Sequence, residues 1–179
     1  NDSVFFMRRG KYTTDEYFIK KKDTIADYYL QSLDETEQQH QLFAYIDHLN
    51  AAGASAIQHY GARKAASLNL AAAQQAHAGN AWHEAAAYYE RAYQLAVNSD
   101  ESQQPVNPEL CFDSLLGMAN CQYLTQQYDA AGQNCQHLKN MAKQPLPRMQ
   151  VARLEILLLF ARNNFAPAFE LAQQVLPGS

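Results

Sequence analysis

The chain is short of the residues that usually mark a chemical site. Its 179 residues include 3 cysteines, 7 glycines, 6 prolines and a single tryptophan. Cys111, Cys121 and Cys135 are odd in number and lack CxxC spacing, which excludes a disulfide framework and a cysteine zinc site. They predict reduced thiols buried in helices, and hence a reducing compartment, the cytoplasm. No glycine-rich loop is present to cradle a phosphate. A net charge of −4 gives no general attraction to nucleic acid or to an anionic membrane. The longest apolar run, Ile156 to Ala161, is far too short to cross a bilayer. No secretory signal is visible. A chain that begins at Asn1 rather than Met reads as a piece of something larger.

What is abundant is Ala, Gln, Leu, Glu and Tyr, a mixture that favours helix. Val4-Phe5-Phe6-Met7 is the only candidate strand. The first third carries a basic cluster (Arg8, Arg9, Lys11, Lys20, Lys21, Lys22) followed by acids from Asp23 to Glu37, which reads as a solvated face of mixed sign. Its tyrosines, among them Tyr12, Tyr17, Tyr28, Tyr29, Tyr45 and Tyr60, read as half-buried rings rather than a base-stacking platform. Helices are predicted over 15–33, 36–51 and 54–78, the last bent near Gly61. Residues 1–53 form an N-terminal helical capping or extension region, and 54–179 a repeat domain.

The repeat rests on three segments. Trp82-His83-Glu84-Ala85, Tyr128-Asp129-Ala130-Ala131 and Phe165-Ala166-Pro167-Ala168 each place an aromatic residue three before an alanine. Seven residues after each alanine stand Ala92, Leu138 and Val175. The small residue lets paired helices approach, and the ring plugs the seam. Ala85 to Ala131 is 46 residues and Ala131 to Ala168 is 37. Helix pairs follow at 66–78 with 81–97, 108–125 with 128–142, and 147–162 with 165–176. Asn107 caps the second pair, Pro108 occupies its first helical position, and Pro145-Leu146-Pro147 breaks the chain before the third.

Trp82, Ala85, Tyr89 and Ala92, with Leu116-Gly117 in the following segment, resemble the tetratricopeptide (TPR) repeat, whose period is about 34 residues. The resemblance covers 66–176 and departs from the pattern at Cys135 and Ala172, where the family has an aromatic. It implies an all-α fold: an α-α superhelix of about three TPR-like hairpins preceded by the N-terminal helical region. His59-Tyr60-Gly61-Ala62-Arg63-Lys64-Ala65-Ala66 resembles the helical-repeat regions of large signalling ATPases and transcription regulators.

Such arrays bind through the first helix of each pair. The family pattern places Leu70, Gln74 and His77 on that surface, then Ser114, Met118 and Cys121, then Gln150, Arg153 and Leu157. The set is mixed apolar and polar, unlike the basic carboxylate clamp of TPR cochaperones, and suits an apolar or helical ligand. Ordinary packing is an equal alternative for each of these nine. His83-Glu84 lacks the second histidine of a zinc protease motif, since position 87 is Ala87. No nucleophile, base and acid assemble from the sequence, so neither catalytic residues nor a cofactor or metal is expected. The expected function is a non-catalytic protein–protein interaction scaffold, the regulatory or docking module of a signalling or transcription regulator. Its partner is a protein or peptide, not nucleic acid directly and not a membrane, and a homo-oligomer is compatible. A TPR-type chaperone for secreted effectors and a small-ligand sensor are the alternatives.

Overall fold

The computed structural model describes residues 35–51, 53, 57, 61–98 and 107–175. The described elements are all helices: α1 Glu35–Ala51, α2 Ala62–Ala78, α3 Trp82–Asn98, α4 Pro108–Leu124, α5 Tyr128–Met141, α6 Pro145–Ala161 and α7 Phe165–Val175. The fold is all-α. The chain divides into two units, Asn1–Tyr60 and Gly61–Ser179, whereas the sequence places a boundary at 53/54. The expected strand at 4–7, the helix over 15–33 and the basic, tyrosine-rich cluster lie outside the described residues.

In the first unit, α1 carries Ile46 and Leu49 inward, at 0% and 7% exposure. Leu42 and Phe43 lie half-buried one turn earlier, and Asp47 and His48 face solvent. This is the apolar spacing expected from Leu42, Phe43, Ile46 and Leu49.

In the second unit, six helices form three consecutive pairs, α2–α3, α4–α5 and α6–α7. The first helix of each pair is 17 residues long. The pairs superpose in sequence: the starts of α2 and α4, Ala62 and Pro108, are 46 residues apart, and so are those of α3 and α5, Trp82 and Tyr128. From the second pair to the third the offset is 37 for both helices, Pro108 to Pro145 and Tyr128 to Phe165. Each helix packs on the next along the chain, and the first helices also meet one another, α2 with α4 and α4 with α6.

The three turns within the pairs are the same structure. In the first, the amide of Asn80 donates to His77 O and that of Ala81 to Ala76 O. In the second, Gln126 donates to Tyr123 O and Gln127 to Gln122 O, and in the third, Asn163 to Phe160 O and Asn164 to Leu159 O. This pair of bonds is a Schellman cap, which needs one residue in the left-handed region. Asn80, Gln126 and Asn163 supply it, with φ of 60°, 63° and 56°. None is glycine. Gly79, the residue the eye goes to, has φ −82°.

Helix starts follow equally local rules. Asn107 Oδ1 accepts from the amides of Glu109 and Leu110 at 3.1 and 3.3 Å, and Pro108 sits at the first helical position. Pro145 and Pro147 do not break the chain before α6; they lie in its first turn, where a missing N–H is tolerated. Helix α6 therefore begins two residues earlier than expected.

The core of the second and third pairs is one cluster in which Leu115, Ala119, Ala131, Leu138 and Leu154 are at most 1% exposed. Between the first and second pairs the close contact is of another kind. A Cβ built on Gly117 would fall inside the Tyr89 ring, so α3 and α4 meet ring against bare backbone. The equivalent positions at the next interface are Cys135 and Leu154. There the second helix gives the small residue and the following first helix the large one. Ala85, Ala131 and Ala168 are all fully buried, as the spacing of the repeat requires.

Candidate functional site

The turn geometry fixes which first-helix positions correspond. Leu70, Gln74 and His77 of α2 match Leu116, Asn120 and Tyr123 of α4, then Arg153, Leu157 and Phe160 of α6. All nine reach solvent, in whole or in part. Successive residues in each helix are four and three apart, so each set forms one stripe, and the contacts of α2 with α4 and of α4 with α6 set the stripes side by side.

Five of the nine residues expected from the sequence fall in this row: Leu70, Gln74, His77, Arg153 and Leu157. The other four do not. Ser114 and Cys121 have no exposed surface and offer no atom to a ligand. Met118 packs against the buried cluster, and Gln150, exposed one turn before Arg153, lies on the same stripe beyond the end of the row. The cause is register. Helix α4 has no aromatic marker at its start, and its position along the repeat is set by the turn at Thr125–Gln127 rather than by its own apolar pattern. Ser114 also carries a cost, because its buried Oγ has no hydrogen-bond partner.

The end of the row nearest the turns is aromatic in every pair. His77 meets Trp82 edge-on with centroids 4.9 Å apart. Tyr123 and Tyr128 are 5.9 Å apart, and Phe160 and Phe165 5.7 Å. The second ring of each pair was marked in the sequence; of the first rings His77 was placed on the row, while Tyr123 and Phe160 were missed because the chemistry changes from His to Tyr to Phe. A ring five residues ahead of each marked aromatic is the signal that finds them.

His77 also joins the first pair to the second. Its Nδ1 lies 3.6 Å from Cys121 Sγ, and its ring meets Tyr89 edge-on at 6.1 Å. Burial pushes the Cys121 thiol up to about 11 and lowers the His77 imidazole below its ordinary value. Both effects favour neutral forms, so the contact joins a protonated thiol to an uncharged imidazole. The sequence offered no partner for any cysteine, yet the fold brings this one to a histidine 44 residues away. A wholly buried, protonated thiol is a packing group and not a nucleophile. Cys135 behaves similarly, pushed up to about 11 chiefly by desolvation. The phenol of Tyr89, first by desolvation and then by the nearby Cys121 and Asp113, is pushed up to about 12.

Farther along the row the polar groups are few. Asn120 Nδ2 donates to Leu116 O at 2.8 Å, which leaves its side-chain oxygen as an acceptor. Arg153 is the one charge among the nine. Two open grooves lie elsewhere, beside α5 and α6. One of about 580 Å³ is bounded by Asp129, Gln136, Glu155 and Arg162, and one of about 290 Å³ by Lys139, Lys143 and Arg148. Their charges are largely engaged across the second and third pairs. Lys139 is ion-paired with Glu155, Arg162 bonds Asp129 at 2.7 Å and Tyr128 O at 3.0 Å, and Arg148 Nε donates to Ala142 O. Among the described residues no three His, Cys, Asp or Glu side chains gather as metal ligands, and no helix is long and apolar enough to cross a membrane. No known protein family, curated protein or solved structure matches the chain.

Proposed function

We propose that this chain is a non-catalytic protein-interaction scaffold of the TPR-like kind, the docking or regulatory part of a signalling or transcription regulator. The row along α2, α4 and α6 is its binding surface. One observation carries the reading: nine corresponding positions on three adjoining helices are all accessible, and they join leucines, rings and side-chain amides with a single charge. Such a surface gives apolar contact area along its length and hydrogen bonds at two points. It suits an extended or helical peptide with apolar anchors and does not suit a strongly acidic tail. The three cysteines are free and buried, in keeping with work in a reducing compartment, the cytoplasm.

The test is a selection of displayed 15-residue peptides against the whole chain, followed by titration of the best binders against variants. Gln74 and Arg153 are exposed, so Gln74→Glu and Arg153→Glu leave the fold intact, which circular dichroism verifies. Each should weaken the selected peptides by about tenfold, the loss of one well-placed polar contact. Peptides that bind both variants as tightly as the parent chain place the binding surface elsewhere.

A further inference from the structure

We infer that the partner's bound segment is proline-rich and lies along the ring-bearing end of the row as a polyproline II helix, a reading that rests on the row being the binding surface. The observation is a ladder of rings. Each helix pair brings one ring pair to the end of the row nearest its turn: His77 with Trp82, Tyr123 with Tyr128, and Phe160 with Phe165. All of these rings are accessible in whole or in part. The first two steps stand inside the array, each followed by a further helix pair, so their access does not depend on what lies beyond Val175. Packed helices lie about 8–10 Å apart, and α2 packs on α4 and α4 on α6. The rings therefore recur at about that interval. A polyproline II helix turns once in three residues and rises about 9 Å per turn. Every third residue of such a segment thus meets a new step of the ladder.

Free donors select this conformation over the others. Among the described residues none accepts a hydrogen bond from the indole N–H of Trp82 or from the hydroxyls of Tyr123 and Tyr128. The row itself carries no carboxylate. Polyproline II leaves every backbone carbonyl unbonded, and proline brings no N–H that would need an acceptor. Ladder and ligand are thus complementary, donors facing acceptors. An α-helix could meet the same steps with every seventh residue, but its carbonyls are bonded within itself and these donors would go unused. An extended strand finds no sheet edge to join, because the described elements are all helices. Contact at a few ring pairs also favours a ligand that loses little freedom on binding. A segment already extended and stiff meets that condition, and proline-rich segments dock against aromatic side chains in this form.

The probe is a fluorescein-labelled peptide of four Pro-Pro-Gln repeats, titrated into the whole chain by fluorescence anisotropy. Saturable binding is expected. Trp82→Phe and Tyr128→Phe keep a ring in place and remove one donor each, and circular dichroism verifies that the variants fold. Each should weaken binding by about threefold to tenfold, the loss of one hydrogen bond. Displayed peptides selected against the whole chain should carry proline at every third position. A probe that fails to bind, or that binds both variants as tightly as the parent chain, overturns the inference. Selected peptides that lack this spacing but are weakened by Gln74→Glu also overturn it, and leave the scaffold reading standing with another kind of segment on the row. Selected peptides that neither Gln74→Glu nor the ring variants weaken overturn both.

Discussion

His77 is the residue on which most converges. It belongs to the accessible row, forms a ring pair with Trp82 and meets Cys121 of the second helix pair. Its depressed basicity, caused by desolvation, has a thermodynamic consequence. The unfolded chain binds a proton at this site more readily than the folded one. The contribution to stability is complete above the ordinary histidine value and is lost as the pH falls toward the lower folded value. The melting temperature should therefore drop between about pH 7.5 and pH 5.5, within the histidine range. His77→Tyr, which copies Tyr123 of the second pair, should lessen that drop, as measured by calorimetry at the two pH values. An equal drop in the variant would assign the acid sensitivity to other groups. The place of His77 on the row was legible in the sequence, but its link to the second pair was not, since it is one of 6 histidines and Cys121 is 44 residues away. A contact at that separation is made by the stacking of pairs and leaves no local pattern.

At the scale of elements, turns and interfaces show how local chemistry and packing divide the work. The left-handed residue at Gln126 is strained by about 1–2 kcal/mol relative to glycine, less glycine's own entropic penalty of about 0.5–1 kcal/mol. Gln126→Gly should thus stabilise the protein and raise its melting temperature by about 3 °C; an unchanged or lower value would mean that the Gln side chain holds the turn. The interfaces exchange size. Tyr89 opposes Gly117, whereas Cys135 and Leu154 occupy the same two positions one pair later. Gly117→Leu alone should cost about 3 kcal/mol or more through overpacking, and Tyr89→Cys alone about 2–4 kcal/mol through the cavity. Together they should cost less than their sum by at least about 1 kcal/mol, a coupling that urea denaturation of the four proteins in a double-mutant cycle measures. Helix limits were largely readable, because alanine at fixed distance from an aromatic marks each second helix, and Asn107-Pro108 marks a start. Register within the first helices was not. Leu116-Gly117 occurs once, its counterparts are Leu70-Ala71 and Arg153-Leu154, and for Ser114 and Cys121, both buried, the packing alternative is the one the structure shows. The prolines of α6 show the same limit, since Pro-Leu-Pro signals both an end and a beginning.

For the molecule as a whole, a chain of pairs that touch only their neighbours should lose structure from the side with least cover. In the second unit that side is the third pair, with Phe160, Phe165 and Phe169 exposed and Ala168 the only buried residue of α7. Hydrogen exchange followed by mass spectrometry should therefore find the amides of α7 the fastest among α2 to α7 and those of α4 the slowest, since α4 touches α2, α3, α5 and α6. Uniform protection would mean a single cooperative block. The uneven spacing of the repeat adds a last consequence. The pairs keep one internal geometry at offsets of both 46 and 37 residues; of the nine extra residues of the first interval, three lengthen α3, with 17 residues against 14 for α5, and six lengthen the connection from α3 to α4. The Tyr89 ring against Gly117 and the His77–Cys121 contact hold α3 and the first pair to α4 across that connection. Its length is thus a free variable, because closure entropy grows only as the logarithm of length. A protease site or an inserted reporter domain placed there should leave two halves that still recognise each other.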